Sequence, residues 1–210
     1  MCTTHYARRV AVEIVFTERR SLLTEARAAN FVRLRERVAR ASCQPVRVGF
    51  YEEVDAVRLR AADSIVLSGS SAPWSEHEPG LLARLGEAVL DAGRPVLGIC
   101  AGMQLQARFA GSSIDPAASR EDGYLPIRID DRTDLLRGLP EEVVVFQDHS
   151  HEITELAPGF RVLASSPACA IQAIGDSERR WWGTQFHPEE FRPEHPAGEN
   201  ILRAFFVLAS

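Results

Sequence analysis

The sequence predicts an α/β fold in which a mostly parallel central sheet carries helices on both faces and continues into an antiparallel extension. Two observations support this prediction. Short apolar segments alternate with helical patterns through the first half of the chain, and such β-α-β units pair their strands in parallel. Strand patterns separated by short turns fill most of the second half, which is typical of an antiparallel region.

The first half contains four strand patterns and three helical patterns. The strand patterns are short and apolar, as expected for buried parallel strands, and the long helical patterns carry their apolar residues on one face. The predicted strands are residues 10–16, 46–50, 64–68 and 95–99, and the predicted helices are 21–42, 81–92 and 103–108. Gly93 follows the second helix and is its predicted C-cap.

The second half begins with a segment rich in Gly, Ser, Asp and Pro, residues 111–133, in which a strand starts only after a turn. The predicted strands are 124–129, 143–146, 160–164, 170–174 and 181–186, and a helix over 200–209 closes the fold. Of the adjacent Trp181 and Trp182, we expect one in the core and the other partly exposed. With no linker or internal repeat in view, residues 1–210 are expected to form one domain.

Composition limits the functional classes. The net charge of −5 gives no electrostatic reason to expect nucleic acid or an anionic membrane as a partner. The chain has no lysine, which excludes Schiff-base chemistry and a P-loop lysine. No apolar run reaches the length of a transmembrane helix, and no signal peptide is seen. The four cysteines form no CxxC pair, so we expect reduced thiols and a cytoplasmic location.

The segment PVLGICAGMQLQ, residues 95–106, is the first of two chemical motifs. An apolar strand ends at Cys100, Gly98 and Gly102 flank the cysteine, and a helical run follows. This is the arrangement of a nucleophile elbow, whose sharp turn needs residues without side chains beside the nucleophile. The helix N-terminus favours the thiolate. The alternative interpretation is a buried structural cysteine at a strand end.

The segment WWGTQFHPEEF, residues 181–191, is the second motif. It places His187 after an apolar run, with Glu189 two residues later. In extended backbone these two side chains point to the same side, so Glu189 can orient the imidazole of His187 toward Cys100 as in a catalytic triad. Glu190 is the rival orienter and would face the opposite way. Alone, the motif could also be a surface turn.

With Cys100, His187 and Glu189 in this order, the chain resembles the class I glutamine amidotransferases. GICAGMQ resembles the cysteine motif of that family, and GTQFHPE resembles its histidine and glutamate motif. The resemblance extends to three other segments. Residues 62–74 resemble the family's strand that ends in the oxyanion loop, and residues 134–153 resemble its strand before a His-Ser turn. Residues 160–174 resemble the segment before the family's histidine motif, especially that of GMP synthases. The resemblance implies a flavodoxin-like core and hydrolysis of L-glutamine through a thioester on Cys100.

The resemblance also implies the residues that surround the substrate. The backbone N–H groups of Ser70 and Ala101 correspond to the oxyanion hole, and Gly69, Gln104, Ser150 and His151 correspond to substrate-binding positions. The loop reads Ser-Gly-Ser-Ser-Ala over 68–72, where the family usually has two adjacent glycines and a proline, so the Cβ of Ser70 could misalign the hole. The implied partner is an ammonia-accepting synthase or synthetase subunit on a separate chain.

Two other functions stay open: a γ-glutamyl amide hydrolase with the same triad, and a catalytically silent regulatory or binding subunit. No cofactor is predicted. His149 and His151 form a His-Ser-His triplet, but no cysteine or carboxylate at ligand spacing accompanies it, so no metal site is predicted. The other histidines, His5, His77 and His195, are expected at the surface. The acceptor molecule and the oligomeric state cannot be deduced from the sequence.

Overall fold

The computed structural model describes residues 11–210, which form one mixed sheet of nine strands with helices on both faces. The strands are β1 (Val12–Phe16), β2 (Val46–Phe50), β3 (Ser64–Leu67), β4 (Val96–Ile99), β5 (Ser113–Ile129), β6 (Glu142–Glu155), β7 (Arg161–Ser165), β8 (Ala173–Asp176) and β9 (Trp181–Thr184). The helices are α1 (Glu25–Ser42), α2 (Ala56–Ala61), α3 (Pro79–Ala92), α4 (Ala101–Phe109) and α5 (Ala197–Ala209).

The sheet has the strand order β2-β1-β3-β4-β9-β8-β7-β5-β6. The pairs from β2 to β9 are parallel, and the pairs from β9 to β6 are antiparallel. The predicted parallel sheet with an antiparallel extension is therefore confirmed. Strands β4 and β9 are parallel neighbours, so their carboxyl ends meet at the same edge of the sheet, where open α/β sheets place their sites.

The helices cover the two faces of the parallel part because its strands alternate their side chains. Val12, Ile14 and Phe16 of β1 belong to a core with residues of α1 and α5. Val15, between them, packs in a second core with residues of α2, α3 and α4. This alternation is the two-residue period of a strand, and apolar residues on both faces explain why β1 is buried throughout.

The helix boundaries follow local chemistry. Thr24 caps α1 by accepting a hydrogen bond from the Arg27 N–H, and the predicted C-cap Gly93 ends α3 with φ of 58°. Helix α2 is an addition to the predicted elements, although Asp55 is an N-cap that accepts from the N–H groups of Val57 and Arg58. Six residues are too few to show a helical period, which is why the sequence pattern does not reveal this helix.

The longest hairpin differs most from the prediction. Residues 111–133 were expected to hold mostly loop, and the segment near Ser150 was expected to turn, but β5 and β6 pair along nearly their whole lengths. A register shift between Pro116 and Glu121 leaves residues 117–120 unpaired in a bulge, whereas the Ser, Asp, Pro and Gly residues on either side of it are paired with β6. Backbone pairing with a partner strand overrides the weak strand propensity of these residues.

Two smaller expectations are corrected. Trp181 and Trp182 are both 3% exposed, because β9 lies inside the sheet and has helices on both of its faces. The predicted first strand began at Val10, which lies outside the described residues. None of the helices between residues 11 and 210 combines the length and the hydropathy that crossing a bilayer requires.

Candidate active site

Cys100 occupies a strained turn between β4 and α4. Its φ of 51° and ψ of −114° are rare for a residue with a side chain. The Cys100 N–H donates to the Thr184 carbonyl over 2.7 Å, and the Cys100 carbonyl accepts from the Gln104 N–H over 3.0 Å. The turn is thus fixed by β9 on one side and by the first turn of α4 on the other, and the side chain is 5% exposed.

The two glycines beside Cys100 are required by close contacts. A Cβ on Gly98 would lie 2.6 Å from the backbone N of Met103, and a Cβ on Gly102 would overlap the carbonyl of Leu67. Both separations are shorter than real Cβ contacts, so α4 can approach β3 and β4 only when these positions have no side chain. This geometry supports the nucleophile-elbow interpretation of the motif.

His187 and Glu189 form the hydrogen-bonded pair that the sequence predicts. Nδ1 of His187 lies 2.9 Å from Oε1 of Glu189. The local backbone is not a strand, because His187 precedes a 3₁₀ turn over Pro188–Glu190. The expected reason for the pairing was therefore wrong, although the pairing itself is present. The rival Glu190 instead pairs with Arg33 of α1 over 2.8 Å.

Cys100 and His187 both lie next to Gly69. A Cβ on Gly69 would lie 2.9 Å from Cε1 of His187 and 3.6 Å from Cβ of Cys100, so both side chains surround the same point. Gly69 lines a cavity with His187 and Glu189, whereas the neighbouring cavity that contains Cys100 and the other predicted substrate residues does not include it. Gly69 therefore leaves space for the imidazole of His187, because a side chain at this position would overlap the ring.

The protonation of His187 reflects three competing influences. Burial lowers its pKa, but the charge of Glu189, the electrostatic interaction with the nearby Cys100 and the hydrogen bond to Glu189 together raise it by more. The net pKa of His187 lies well above the ordinary value for histidine. An imidazolium between a carboxylate and a sulfur is the form that a proton transfer from the thiol produces.

The cavity beside Cys100 has a volume of about 250 Å³ and contains most of the other predicted site residues. Its lining includes Ser70, Cys100, Ala101, Gln104, Asp148, Ser150 and His151. Gln104 is 2% exposed and donates from Nε2 to the His151 carbonyl over 2.7 Å and to Oε1 of Gln185 over 3.0 Å. Because both amide hydrogens are used internally, Gln104 has its carbonyl oxygen to offer a ligand.

The predicted oxyanion donors border this same cavity. Ala101 is the first residue of α4, so its N–H has no acceptor within the helix. The Ser70 N–H donates to no acceptor in the described part of the chain. Only Cys43, Cys100 and Arg180 have positive φ among the non-glycine residues from 11 to 210, so Ser70 occupies an ordinary backbone region. The Cβ of Ser70 therefore imposes no backbone strain on the loop.

The loop over residues 68–72 is held by side chains on both of its sides. On one side, Oγ of Ser70 lies 3.2 Å from Nε2 of His77 and accepts from the Ala72 N–H. On the other, Oε2 of the buried Glu18 accepts from the Ser71 N–H over 3.3 Å.

Arg27 completes the second contact. It pairs with Oε1 of Glu18 over 2.7 Å and donates to the Ser71 carbonyl over 3.3 Å. The peptide groups on either side of Ser71 are therefore fixed by one ion pair, and we call Glu18 and Arg27 the loop clamp. It restrains a loop whose residues 68–72 contain a single glycine and no proline.

Several of these contacts were missed by sequence reasoning. Gln185 is fully buried, accepts from Gln104, and donates from Nε2 to Sγ of Cys100 over 3.7 Å. Its position as a polar residue within the apolar run before His187 was a usable signal. Glu18 and Arg27 gave no such signal, because their contact with Ser71 depends on the fold.

The remaining histidines correct the surface expectation. His77 is 5% exposed, and burial lowers its pKa, so it packs as a neutral ring. His195 is partly buried and stacks on Tyr124, with ring centroids 4.8 Å apart. His5 lies outside the described residues. A position in a turn favours a solvated histidine, but aromatic neighbours cover both rings.

Sequence comparisons place the chain among proteins with this chemistry. The family model "Glutamine amidotransferase class-I" matches residues 23–209. The GMP synthase [glutamine-hydrolyzing] of Geobacillus kaustophilus is 36% identical over 164 residues, which cover 75% of this chain and 31% of the relative. The corresponding protein of Campylobacter lari is 35% identical over 177 residues, which cover 84% and 33%. The chain therefore spans about a third of the length of these curated relatives.

Comparison with solved structures agrees with the sequence match. A Thermoplasma acidophilum protein, described as one subunit of a GMP synthase, aligns with a TM-score of 0.81 and 28% identity, over 97% of this chain and 96% of that one. The glutaminase domain of Trypanosoma brucei CTP synthase aligns with a TM-score of 0.72 over 95% and 93% of the two chains, and at 15% identity it supports the fold alone. The chain belongs to the class I glutamine amidotransferase family.

Proposed function

We propose that this chain is the glutaminase component of an amidotransferase, which hydrolyses L-glutamine to glutamate and ammonia and passes the ammonia to an acceptor enzyme. The observation that carries the proposal is the meeting of Cys100 with the His187–Glu189 pair around Gly69, beside a 250 Å³ cavity. A thiol, a base and a carboxylate that orients the base are the groups that nucleophilic attack on an amide needs.

The proposed reaction begins when the Cys100 thiol gives its proton to His187 and the sulfur attacks the side-chain amide carbon of glutamine. The resulting oxyanion accepts hydrogen bonds from the N–H groups of Ser70 and Ala101. The C–N bond then breaks, and His187 donates its proton to the leaving ammonia. Glu189 stabilises the imidazolium throughout, in agreement with the raised pKa of His187.

The second half of the reaction releases glutamate. A γ-glutamyl thioester remains on Cys100, and His187 takes a proton from the water that attacks it. The C–S bond breaks, the proton returns to the sulfur, and the cavity empties. We assign the carbonyl oxygen of Gln104 and the backbone of Ser150 and His151 to substrate binding, since all three residues line the cavity.

The acceptor is proposed to be a synthase or synthetase on a separate chain. The aligned Thermoplasma acidophilum protein, 96% of which is covered by this chain, is described as one subunit of its enzyme. The names of the sequence relatives make GMP synthesis the first reaction to test. We further propose that residues 1–210 act as one domain and that the protein works in the cytoplasm, where the free thiols Cys43, Cys100 and Cys169 stay reduced.

The test is glutamate release from L-glutamine, with γ-glutamyl amines as competing substrates and Cys43→Ala as a matched thiol control. We expect turnover of glutamine and a γ-glutamyl adduct on Cys100 in intact-protein mass spectra. A clear preference for γ-glutamyl amines would instead identify a γ-glutamyl amide hydrolase. Full turnover by Cys100→Ala would disprove the mechanism.

The acceptor is tested separately. The chain is mixed with the synthetase part of a GMP synthase that lacks its own glutaminase domain, and glutamine-dependent GMP formation is measured. GMP formed from glutamine supports ammonia delivery. GMP formed from added ammonium alone, with no stimulation by glutamine, argues against this acceptor while leaving glutamine hydrolysis intact.

A further inference from the structure

A buried group of three potential metal ligands shares no residue with the Cys100–His187–Glu189 triad, although one member, His149, lines the cavity beside Cys100. Glu121 on β5 and His149 on β6 face each other in the strand pairing, and Cys169 lies in the turn between β7 and β8. None is more than 5% exposed. One carboxylate oxygen, one ring nitrogen and the sulfur lie within 4.8 Å of one another. We call these residues the Glu–His–Cys cluster.

The side chains of the cluster are either negatively charged or neutral, and none of them is positively charged. Burial lowers the pKa of His149 more than the charge of Glu121 raises it, so the imidazole is neutral at pH 7. Burial also raises the pKa of the Cys169 thiol to about 12, and the carboxylates of Glu152 and Glu121 add to that increase. Across residues 11–210, no arginine forms an ion pair with Glu121 or Glu152, and the chain has no lysine.

One ring nitrogen in the cluster also lacks a hydrogen bond. Nε2 of His149 lies 3.0 Å from Oε2 of Glu121, whereas Nδ1 is buried and has no hydrogen-bond partner among the described residues. A buried polar atom without a partner costs about 1–3 kcal/mol. A cation bound to Glu121 would lie at the Nε2 edge of the ring, so it would offset the negative charge of Glu121 without reaching Nδ1.

We propose that Glu121, His149 and Cys169 bind one zinc ion. Thiolate, imidazole and carboxylate are the usual ligands of four-coordinate zinc. Zinc bonds of about 2.0–2.3 Å hold ligand atoms roughly 3.3–3.8 Å apart. The 4.8 Å spread must therefore contract by about 1 Å, which small side-chain rotations provide. These three side chains leave the fourth position of the tetrahedron free for a water molecule.

The surrounding hydrogen bonds orient the ligands. Oγ of Ser166 and Nε2 of Gln172 donate to the two oxygens of Glu121 over 3.2 and 2.7 Å, and the Cys169 N–H donates to Oγ of Ser166 over 3.0 Å. Such contacts to ligating carboxylates are typical of metal sites. When zinc binds, the Cys169 sulfur exchanges its proton for the metal and the proton goes to solvent.

The ion would fasten the β5–β6 hairpin to the turn after β7. Strand β6 also carries Asp148, Ser150 and His151, which line the cavity beside Cys100. Zinc would therefore stabilise a wall of that cavity, to which His149 itself contributes. This role is structural. Loss of the ion would lower the unfolding temperature and would have little effect on the reaction at Cys100.

The experiment uses Cys100→Ala protein, so that the nucleophile cannot compete for metal. Cobalt(II) is titrated in, and the near-ultraviolet charge-transfer band from thiolate to cobalt is recorded, followed by displacement with zinc. We expect one cobalt per chain, release of about one proton per metal at pH 7, and a rise in unfolding temperature when zinc is added.

Matched variants in the same background locate the site. Adding Cys169→Ala is expected to abolish the thiolate band and the rise in unfolding temperature, whereas adding Cys43→Ala, which removes an exposed thiol, is expected to leave both unchanged. Glu121→Gln keeps the side-chain shape and is expected to weaken cobalt binding by tenfold or more.

Three results would overturn the proposal. The first is a Cys100→Ala protein that shows no thiolate band. The second is a band that survives Cys169→Ala but is lost with Cys43→Ala. The third is unchanged cobalt affinity in Glu121→Gln. Because the titration of the Cys100→Ala protein needs no change within the cluster, misfolding of a cluster variant cannot hide the answer.

Discussion

Two histidines of this chain pair with glutamates over nearly the same distance, 2.9 Å for His187–Glu189 and 3.0 Å for His149–Glu121, yet their pKa values move in opposite directions. In both, burial lowers the pKa and the glutamate raises it. His187 has Cys100 as a second neighbour that raises its pKa, and its net pKa is raised. His149 has no second neighbour of this kind, so the effect of burial exceeds that of Glu121 and its net pKa is lowered.

The difference shows that a histidine–carboxylate pair does not by itself make a base. A second charge on the other side of the ring decides whether the proton stays. The first pair lies beside the nucleophile, and the second joins a hairpin to a turn next to a thiol that is protonated at neutral pH. The following experiments test whether the two pairs really have separate roles.

The largest expected effect is that of Cys100→Ala. Glutamate release should fall by about 10⁴-fold or more, since the nucleophile is lost. The pKa of His187 should fall as well, because the thiolate charge that raises it is removed, while the pKa of His149 should not move. NMR titration of the two imidazoles measures both values, and an unchanged His187 would show that the thiolate does not set its proton affinity.

The next effect separates the two glutamates. Glu189→Gln should lower kcat by about 10²- to 10⁴-fold, since the imidazolium loses its stabilising charge. Glu121→Gln, the matched change in the other pair, should leave kcat within about threefold and reduce the free energy of unfolding by about 1–3 kcal/mol. Steady-state kinetics and urea unfolding provide the two readouts. If Glu121→Gln lowered kcat as much as Glu189→Gln does, the His149–Glu121 pair would also take part in the reaction.

A third buried carboxylate extends the comparison. Burial raises the pKa of Glu18, and the Ser71 N–H and Arg27 oppose that increase, so this carboxylate orients a peptide group in place of an imidazole. Glu18→Gln should lower kcat by about tenfold with little change in KM, because a loosened loop misplaces the Ser70 N–H in the transition state. A loss confined to KM would instead connect the loop clamp to substrate binding.

The smallest effects are on the pH dependence of stability. The raised pKa of His187 contributes stability that is present below about pH 6.5 and is lost as the pH rises through the folded value. The lowered pKa of His149 contributes stability that is present above about pH 6.5 and is lost as the pH falls through the folded value.

Urea unfolding from pH 4 to 10 tests these two slopes. His187→Asn should flatten the alkaline limb of the stability curve, and His149→Asn should flatten the acid limb. If both variants change the same limb of the stability curve, the pKa values of His187 and His149 are shifted in the same direction, which would contradict the proposed difference between the two pairs.

Local pattern was enough to predict much of the fold and the centre of the candidate site. The β4 strand, the glycines beside Cys100 and the helix after it follow from residues within one short segment, and steric contact explains both glycines. The Glu189–His187 contact was also predictable, since its members are only two positions apart, although a 3₁₀ turn provides it.

Weak or distant signals explain the errors. The β5–β6 hairpin contains turn-forming residues and became a strand pair only through backbone pairing with a partner. His77 was misplaced because Tyr51 and Trp74, which cover its ring, approach it through the fold of the chain. The cysteine and carboxylate near His149 were overlooked because ligand spacing was sought only along the sequence.

The sequence by itself determined most of the strands and helices, the sharp turn at Cys100 and the pairing of His187 with Glu189, because each depends on neighbours a few residues away. Only the tertiary structure decided that Glu18 and Arg27 hold the Ser71 peptide, and that Glu121, His149 and Cys169 share one buried cluster. Those contacts join residues far apart in the chain, and strand register and helix packing set their geometry.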